Sequence, residues 1–382
     1  MKILHSVGRV GRVVHNPEDH ALAGIGNAVL NIASAQSNIL GHQVEVYGFS
    51  NPIAAGRGIW RGVNICTMQP VKFARISSRL NASWLLPMLW RVILQSNIDV
   101  LHVHELGLLY LPNPNLKIMH LHIPISEKAG RSHLWKRADA VVCVSHYVRE
   151  KFLASSYYPP ERTFVVHNGA ISSPYDEIER IQIRAKLGIL PKESMVLFVG
   201  ALVPAKGPHI LLEAIRELQN KHKCERKIRT VIVGGSRLWR VPNGDSSPGD
   251  YETELKSLGD GLNVTFVGLL PHKEIQSLYR ASDIVVVPSI FEAHPLVVCE
   301  GMAAGKAVIA SRVGGIPETV IDGETGILFP MGDIEALASA IQRLVENQEM
   351  RSQMGCAAMQ RSKIFSWESA AKKLDQIYEE FL

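Results

Sequence analysis

Short apolar runs alternate with longer mixed segments along the whole chain. In the first half the runs are Lys2–Val7, Gln43–Tyr47, Asp99–His104, Lys117–His122, Ala140–Val144 and Thr163–His167. In the second half they are Met195–Val199, Thr230–Val233, Val264–Val267, Ile284–Val287, Ala307–Ala310 and Gly326–Phe329. Each is strand length, and most are apolar on both alternating faces, as in a parallel sheet covered by helices on both sides. Between them lie helix-like segments such as Gly26–Ile39 and Ser145–Ala154, and Trp367–Leu382 reads as a final amphipathic helix. Strand–helix alternation over this many strands predicts an α/β chain with two doubly wound sheets. The polar stretch Ser172–Arg180 is the expected linker. It divides the chain into residues 1–175, joined by a terminal helix at 364–382, and residues 176–363. Pro248 and Gly249, inside VPNGDSSPGD, predict a surface loop.

Length and composition agree with that division. The chain has 382 residues, 46% hydrophobic and 20% charged, which suits two folded domains and excludes a disordered chain. No run is apolar for long enough to span a bilayer. MKILHSVG is too short a run for a secretory leader and reads as a first strand. Five scattered cysteines without a C-x-x-C argue against a disulfide framework and fit a reducing, cytoplasmic setting. Charge is uneven: up to Arg180, 18 Lys and Arg stand against 12 Asp and Glu, although the net charge is only +5. No acidic residue lies between Glu45 and Asp99, while Arg57, Arg61, Lys72, Arg75, Arg79, Arg91, Trp84 and Trp90 do. A basic, Trp-bearing region is compatible with peripheral docking on an anionic membrane face, and equally with a helix docked on a sheet. No dense basic cluster points to nucleic acid.

Ligands of open α/β sheets bind beyond the carboxyl ends of the strands. The densest polar set in such a position is SIFEAHPLVVCEGMAAGKAVIAS. Pro295 suits the first turn of a helix running to Ala304, with Gly305 ending it. The free N–H groups near Pro295–Val298 suit a phosphate. Glu300 is the only charge in PLVVCEGMAAG, so it needs a partner: a ribose diol, or donors of the protein itself. Lys206, in GALVPAKGP, either neutralises a diphosphate or sits solvated in its turn. Gly24 and Gly26 either admit a phosphate close to the backbone or simply begin a helix. They are not a dinucleotide fingerprint, and no P-loop occurs. His102, His104, His120 and His122 form two H-x-H pairs at strand ends. Only Glu105 lies nearby to complete a zinc site, so one histidine on a substrate hydroxyl, with the others packed in the core, is the expected arrangement. No Asp-x-Asp occurs, so no metal is expected at a diphosphate.

Taken together, these residues resemble family-4 glycosyltransferases of the GT-B fold, over nearly the whole chain. The most specific part is Glu292 and Glu300, seven residues between them, continuing into GGIPETVIDGETGILF. AGIGNAVLNIA, LGHQVEVY, DVLHVHE, CVSHYVRE, VVHNGA, FVGALVPAKG and FSWE support it in order. The resemblance implies two Rossmann-like domains facing a central cleft, with the last helix crossing back to the first domain. It implies retaining, metal-independent transfer from a nucleotide-sugar without a resident cofactor. A UDP-hexose is the favoured donor, UDP-glucose first, and the acceptor is a glycan or lipid-linked sugar of the cell envelope. By motif position Glu300 would bind the ribose, and Glu292 would face the donor sugar. The backbone of His294, Pro295, Leu296 and Val297 would cradle diphosphate and sugar, with Lys206 on the diphosphate. Gly24, with Gly26, would approach the phosphates, His122 would contact the sugar, and Gly268 and Leu270 would lie near the base. One position departs from the pattern: Ala201 stands where the family usually carries arginine. Arg312, Arg9 or Arg12 is the expected substitute. A non-catalytic sugar-nucleotide binder is the alternative this departure leaves.

Overall fold

The computed structural model describes residues 1–9, 24–49, 56–68, 89–90, 93–94, 97–112, 115–171, 176–220, 227–235 and 248–382. They divide into two compact units, Met1–Gly169 with Phe365–Leu382, and Ala170–Ile364.

The first unit holds eight strands: β1 (Lys2–Arg9), β2 (Gln43–Phe49), β3 (Gly56–Trp60), β4 (Val63–Met68), β5 (Val100–Val103), β6 (Leu116–Leu121), β7 (Ala140–Cys143) and β8 (Thr163–Val165). Their order in the sheet is β3-β4-β2-β1-β5-β6-β7-β8. All pairings are parallel except β3 with β4. The chain winds outward one way from β1 and then the other way from β5. This leaves the topological switch between those two strands, at the point where ligands of this architecture bind.

The hairpin β3–β4 is absent from the sequence reading. Its two-residue turn puts Arg61 at φ 45° and Gly62 at φ 82°, and a turn with both central residues in the left-handed region suits a tight hairpin. The usual Asn or Asp at the first position is missing, and the end of helix α1 (Gly24–Asn38) supplies the support instead. Asn38 Nδ2 donates to the Arg61 carbonyl at 2.7 Å, and Ser37 Oγ to the Gly62 carbonyl at 3.2 Å. Helix α2 (His146–Ser155) starts on a Ser145 cap, whose Oγ accepts from Val148 N–H.

The second unit contains β9 (Ser194–Val199), β10 (Ile228–Val233), β11 (Val264–Gly268), β12 (Ile284–Val287), β13 (Ala307–Ser311) and β14 (Gly326–Phe329). Their order is β11-β10-β9-β12-β13-β14, the doubly wound order with its switch between β9 and β12. Alternate residues feed two cores. Val196, Phe198, Ile284, Val286 and Ile309 pack on one face with α4 (Pro208–Asn220) and α8 (Ile334–Glu346). Met195, Leu197, Val285, Val287 and Val308 pack on the other with α6 (His272–Ala281) and α7 (Leu296–Ala303). Residues buried on both faces explain why these strands read as unbroken apolar runs.

Two loop expectations change. Residues 172–175 lie outside the described set, and from Glu177 the expected linker is already helix α3 (Glu177–Lys186), capped by Asp176. Arg180 is part of that helix and donates to Asp283 at 3.1 Å. Pro248 opens helix α5 (Pro248–Leu258), where the missing N–H of proline costs little. The last two helices are α9 (Gln348–Ser362) and α10 (Trp367–Phe381). Helix α10 belongs to the first unit: Asp375 accepts from His42 at 2.7 Å, and Gly169 meets the backbone at Ser366–Trp367 too closely for any Cβ. No helix of the described residues is long and apolar enough to cross a membrane. Of the basic region, Lys72, Arg75, Arg79, Trp84 and Arg91 lie outside the described residues, as does Arg12.

Candidate functional site

The polar residues singled out in the second unit gather along one edge of its sheet. Lys206 follows β9, Gly268 ends β11 and Leu270 lies just beyond it, and Glu292, His294 and Pro295 follow β12. The edge is the carboxyl end of the strands, and β9 and β12 flank the switch.

Lys206 is not a solvated lysine. Its Nζ donates to Glu292 Oε1 at 2.5 Å, and Ser289 Oγ donates to the same oxygen at 3.1 Å. Two backbone contacts set this pair. Gly207, at φ 68°, ends the Pro204–Lys206 turn, and a Cβ there would lie 2.0 Å from the Pro288 carbonyl oxygen. Ile290 N–H donates to the Ala205 carbonyl at 2.9 Å. The loops after β9 and β12 are thereby locked side by side, which brings residues 86 apart in sequence into one ion pair.

A second glycine fixes Glu292 from the other side. Gly315 N–H donates to the Glu292 carbonyl at 3.1 Å, and a Cβ on Gly314, at φ 53°, would lie 1.7 Å from that oxygen. This is the structural reason for Gly314, the first glycine of GGIPE. Gly314→Ala is expected to destabilise the second unit by more than about 2 kcal/mol, since it adds a backbone clash to a strained φ. Urea unfolding checks this, and an unchanged midpoint would contradict the assignment.

Helix α7 begins one residue later than the sequence suggests: Pro295 is its N-cap, not its first helical residue. Helix geometry leaves the first N–H groups of α7 without intrahelical partners, at the positive end of the helix dipole. Gly301 lets α7 lie close to β12, since a Cβ would come within 3.2 Å of Val285. Gly305, at φ 70°, ends the segment as expected. Glu300 lies in the second turn and is 8% exposed. Its Oε2 accepts from Tyr279 Oη at 2.9 Å, and its Oε1 stands 3.9 Å from His272 Nδ1. Both partners come from α6, seven residues apart on one helix face, and neither was singled out from sequence. Burial raises the Glu300 carboxyl to about 7, and the Tyr279 hydrogen bond offsets part of that rise. The same burial, together with the Glu300 charge, raises the Tyr279 phenol well above its ordinary value.

Gly268 has φ 83° and, among the described residues, no neighbour within reach of a Cβ, while Leu270 packs partly against the core below it. His294 is buried beside the α7 cap. Ala201, next to the β9 end, is half-buried. Arg312 does not replace the missing arginine: it pairs with Asp322 at 2.5 Å on the exposed surface. A polar hollow of about 390 Å³ opens at the opposite edge of the sheet, lined by Arg180, Arg184, Asp283 and Lys306. Its charges serve the scaffold. Asp283 accepts from Arg180, Arg184 and Met195 N–H, and Lys306 donates to the Arg280 carbonyl. The hollow is therefore not part of the candidate site.

In the first unit Gly24 begins α1, and Gly26 is buried in its first turn. Arg9 ends β1. His122 follows β6 and is 9% exposed. The four histidines of the H-x-H pairs come together and are joined by His5 from β1. Their rings stack, with centroids 4.8 Å apart for His102–His104 and 4.5 Å for His120–His122. Burial lowers every one, His5 and His122 to about 4. Two overlapping triplets, His5–His102–His104 and His104–His120–His122, have ring nitrogens within 4.8 Å of one another, close enough to hold a metal ion. The expected core packing of the histidines is therefore a hydrogen-bonded array, with His5, Gln36 and Tyr378 as members that sequence did not reveal.

Comparison with known proteins bears on the whole chain. The family model described as Glycosyltransferase Family 4 matches residues 22–171, and that described as Glycosyl transferases group 1 matches residues 179–361. The D-inositol 3-phosphate glycosyltransferase of Corynebacterium diphtheriae is 36% identical over 57% of this chain and 51% of its own length. That of Corynebacterium kroppenstedtii is 32% identical over 78% and 64%. The chain thus spans between half and two-thirds of these curated relatives. Among solved structures, sucrose-phosphate synthase from Thermosynechococcus elongatus superposes with a TM-score of 0.80 at 23% identity, covering 100% of this chain and 99% of that one. Anabaena HepE, solved in complex with UDP and glucose, does so with a TM-score of 0.76 at 21% identity and 100% coverage of both. The two parallel-sheet units are those of the GT-B fold class. The chain belongs to glycosyltransferase family 4.

Proposed function

We propose that this chain transfers a hexosyl group from a UDP-sugar, UDP-glucose first, to an acceptor hydroxyl, with retention of configuration and without a metal. The observation that carries the reading is Glu300. One oxygen of its buried carboxylate is held by Tyr279, and it lies in the second turn of the helix that leaves the switch of the sheet. A ribose diol supplies the donors that an ionised carboxylate there can accept, through charge-assisted hydrogen bonds. The diphosphate is assigned to Lys206 and the first turn of α7, where a cation and free N–H groups oppose its charge. Lys206 is already paired with Glu292, so donor binding exchanges one anion for another at Nζ and frees Glu292 to face the sugar. His294, Pro295, Leu296 and Val297 line the same turn, Gly268 and Leu270 take the base, and Gly24, Gly26 and His122 are assigned from the first unit.

Neither Glu292 nor Glu300 is assigned as a nucleophile in this reading, which takes the front-face route that the family resemblance implies. In it the departing phosphate oxygen takes the acceptor's proton while the new bond forms on the face that the diphosphate leaves. Metal independence rests on the absence of an Asp-x-Asp pair from the sequence. The acceptor expected from sequence is a glycan or lipid-linked sugar at the inner membrane face. A phosphorylated cyclitol is a second reading, favoured by relatives named D-inositol 3-phosphate glycosyltransferases.

Incubation with UDP-glucose and EDTA tests the reading, with D-inositol 3-phosphate and a membrane glycolipid extract as competing acceptors and the product's anomeric coupling followed by NMR. An α-linked product on one acceptor, undiminished by EDTA, is expected. A β-linked product or full inhibition by EDTA would contradict it.

A further inference from the structure

The histidine array of the first unit is two hydrogen-bonded chains that begin on the two ends of one amide. Gln36 Oε1 lies 2.7 Å from His5 Nε2, His5 Nδ1 lies 3.1 Å from His104 Nε2, and His104 Nδ1 lies 2.8 Å from His122 Nε2. Gln36 Nε2 donates to Tyr378 Oη at 3.1 Å, Tyr378 Oη lies 2.5 Å from His102 Nδ1, and His102 Nε2 lies 3.1 Å from His120 Nδ1. Gln36 comes from α1 and Tyr378 from α10, so both helices anchor the array.

A neutral imidazole has one donor and one acceptor nitrogen, so each link dictates the next. The amide oxygen only accepts. His5 therefore donates from Nε2 and accepts at Nδ1, and His104 does the same. His122 donates from Nε2 into His104, and its Nδ1 carries the lone pair. The amide nitrogen only donates, so the Tyr378 hydroxyl accepts there and gives its own proton to His102 Nδ1. His102 then donates from Nε2 to His120 Nδ1, and the proton of His120 lies on Nε2. That last atom is buried and has no hydrogen-bond partner among the described residues. Burial favours the neutral form throughout. Turning the amide of Gln36 over would reverse every bond in both chains.

We propose that Gln36 and Tyr378 are positioning residues which hold all five histidines as Nε2–H tautomers, so that His122 offers a lone pair at Nδ1. His122 then accepts a hydrogen bond from a ligand hydroxyl at that atom and does not donate one. The ligand side of this inference rests on the proposed assignment of His122 to the donor sugar. The tautomer itself does not.

The test is ring-nitrogen NMR of the full chain labelled with [15N]histidine, because long-range proton–nitrogen patterns distinguish the two neutral tautomers. All five array histidines are expected as Nε2–H. In Gln36→Met, which keeps the volume but loses both polar ends, His122 is expected to become a mixture. In Tyr378→Phe, His102 and His120 are expected to become mixed while His5, His104 and His122 keep their form. A wild-type His122 protonated on Nδ1 would overturn the proposal, as would a His122 pattern unmoved by Gln36→Met. If Gln36→Met does not fold, the wild-type spectrum and Tyr378→Phe still decide. Zinc chloride titration closes the test: stoichiometric uptake with loss of the Nε2–H signals would show a metal centre and overturn the relay. If the tautomers stand but His122→Ala leaves sugar transfer at the wild-type rate, the donor-sugar assignment fails and the relay stands.

Discussion

Lys206→Ala is expected to lower turnover by about 10²–10³, the usual effect of removing one preorganised charge at a developing anion. Two features of this site push the loss toward the upper end. Ala201 supplies no guanidinium at its own position, and Arg312 is committed to Asp322. Removal of Lys206 also strips Glu292 of its cationic partner, leaving a carboxylate held by Ser289 alone beside an incoming diphosphate. Like charges about 4 Å apart repel by about 4 kcal/mol where the effective dielectric constant is about 20. The two effects share one ion pair, so they will not add. Glu292→Gln in the Lys206→Ala background is expected to restore part of the lost donor affinity, a coupling that a double-mutant cycle measures. Little change in turnover for Lys206→Ala would show that the diphosphate is held elsewhere.

Replacement of Glu300 is expected to move binding and stability in opposite directions. Glu300→Ala removes the acceptor for the ribose diol. Two charge-assisted hydrogen bonds at about 1.5–3 kcal/mol each predict a loss of donor affinity of 10²-fold or more. Glu300→Gln keeps the shape and removes the charge. Burial raises this carboxyl to about 7, while in the unfolded chain it titrates near its ordinary 4.5. Below about 4.5 both states are protonated and the group leaves stability unchanged. Between the two values the unfolded chain ionises first, so stability falls as pH rises, and above 7 the full penalty applies. Its size is on the order of 3 kcal/mol. Glu300→Gln should therefore unfold at higher denaturant than the wild type at pH 8, and equally at pH 4. A destabilised Glu300→Gln at pH 8 would mean that protein donors fully compensate the carboxylate.

The parallel strands were legible because both faces are buried. Runs such as IVVV and AVIAS have no polar alternation to obscure them. The helix after β12 was legible because Pro295 and Gly305 bracket it. The hairpin β3–β4 was not, since its turn is stabilised by α1 side chains far from it in sequence rather than by its own residues. Nor was Pro248, because a Pro-Gly pair reads as a turn whether or not a helix follows. Within the candidate site, the Glu292–Glu300 spacing stood out, whereas its partners did not. Tyr279 reaches Glu300 from 21 residues away, and Gln36 reaches Tyr378 across 342. A buried carboxylate announces that it needs a donor, but only the packing of α6 on α7 says which donor it has. The histidines carried the weakest signal, because a pair spaced by two reads the same whether each ring packs alone or joins an array.

The central claim is a metal-free nucleotide site built on Glu300. Calorimetric titration of the purified chain with UDP, GDP and ADP, with EDTA present, tests it most directly when repeated on Glu300→Ala. One of the three, UDP first, should bind in a 1:1 ratio to the wild type, and the mutant should lose that binding. Binding that survives in Glu300→Ala, or that appears only when a divalent metal replaces EDTA, would contradict the account.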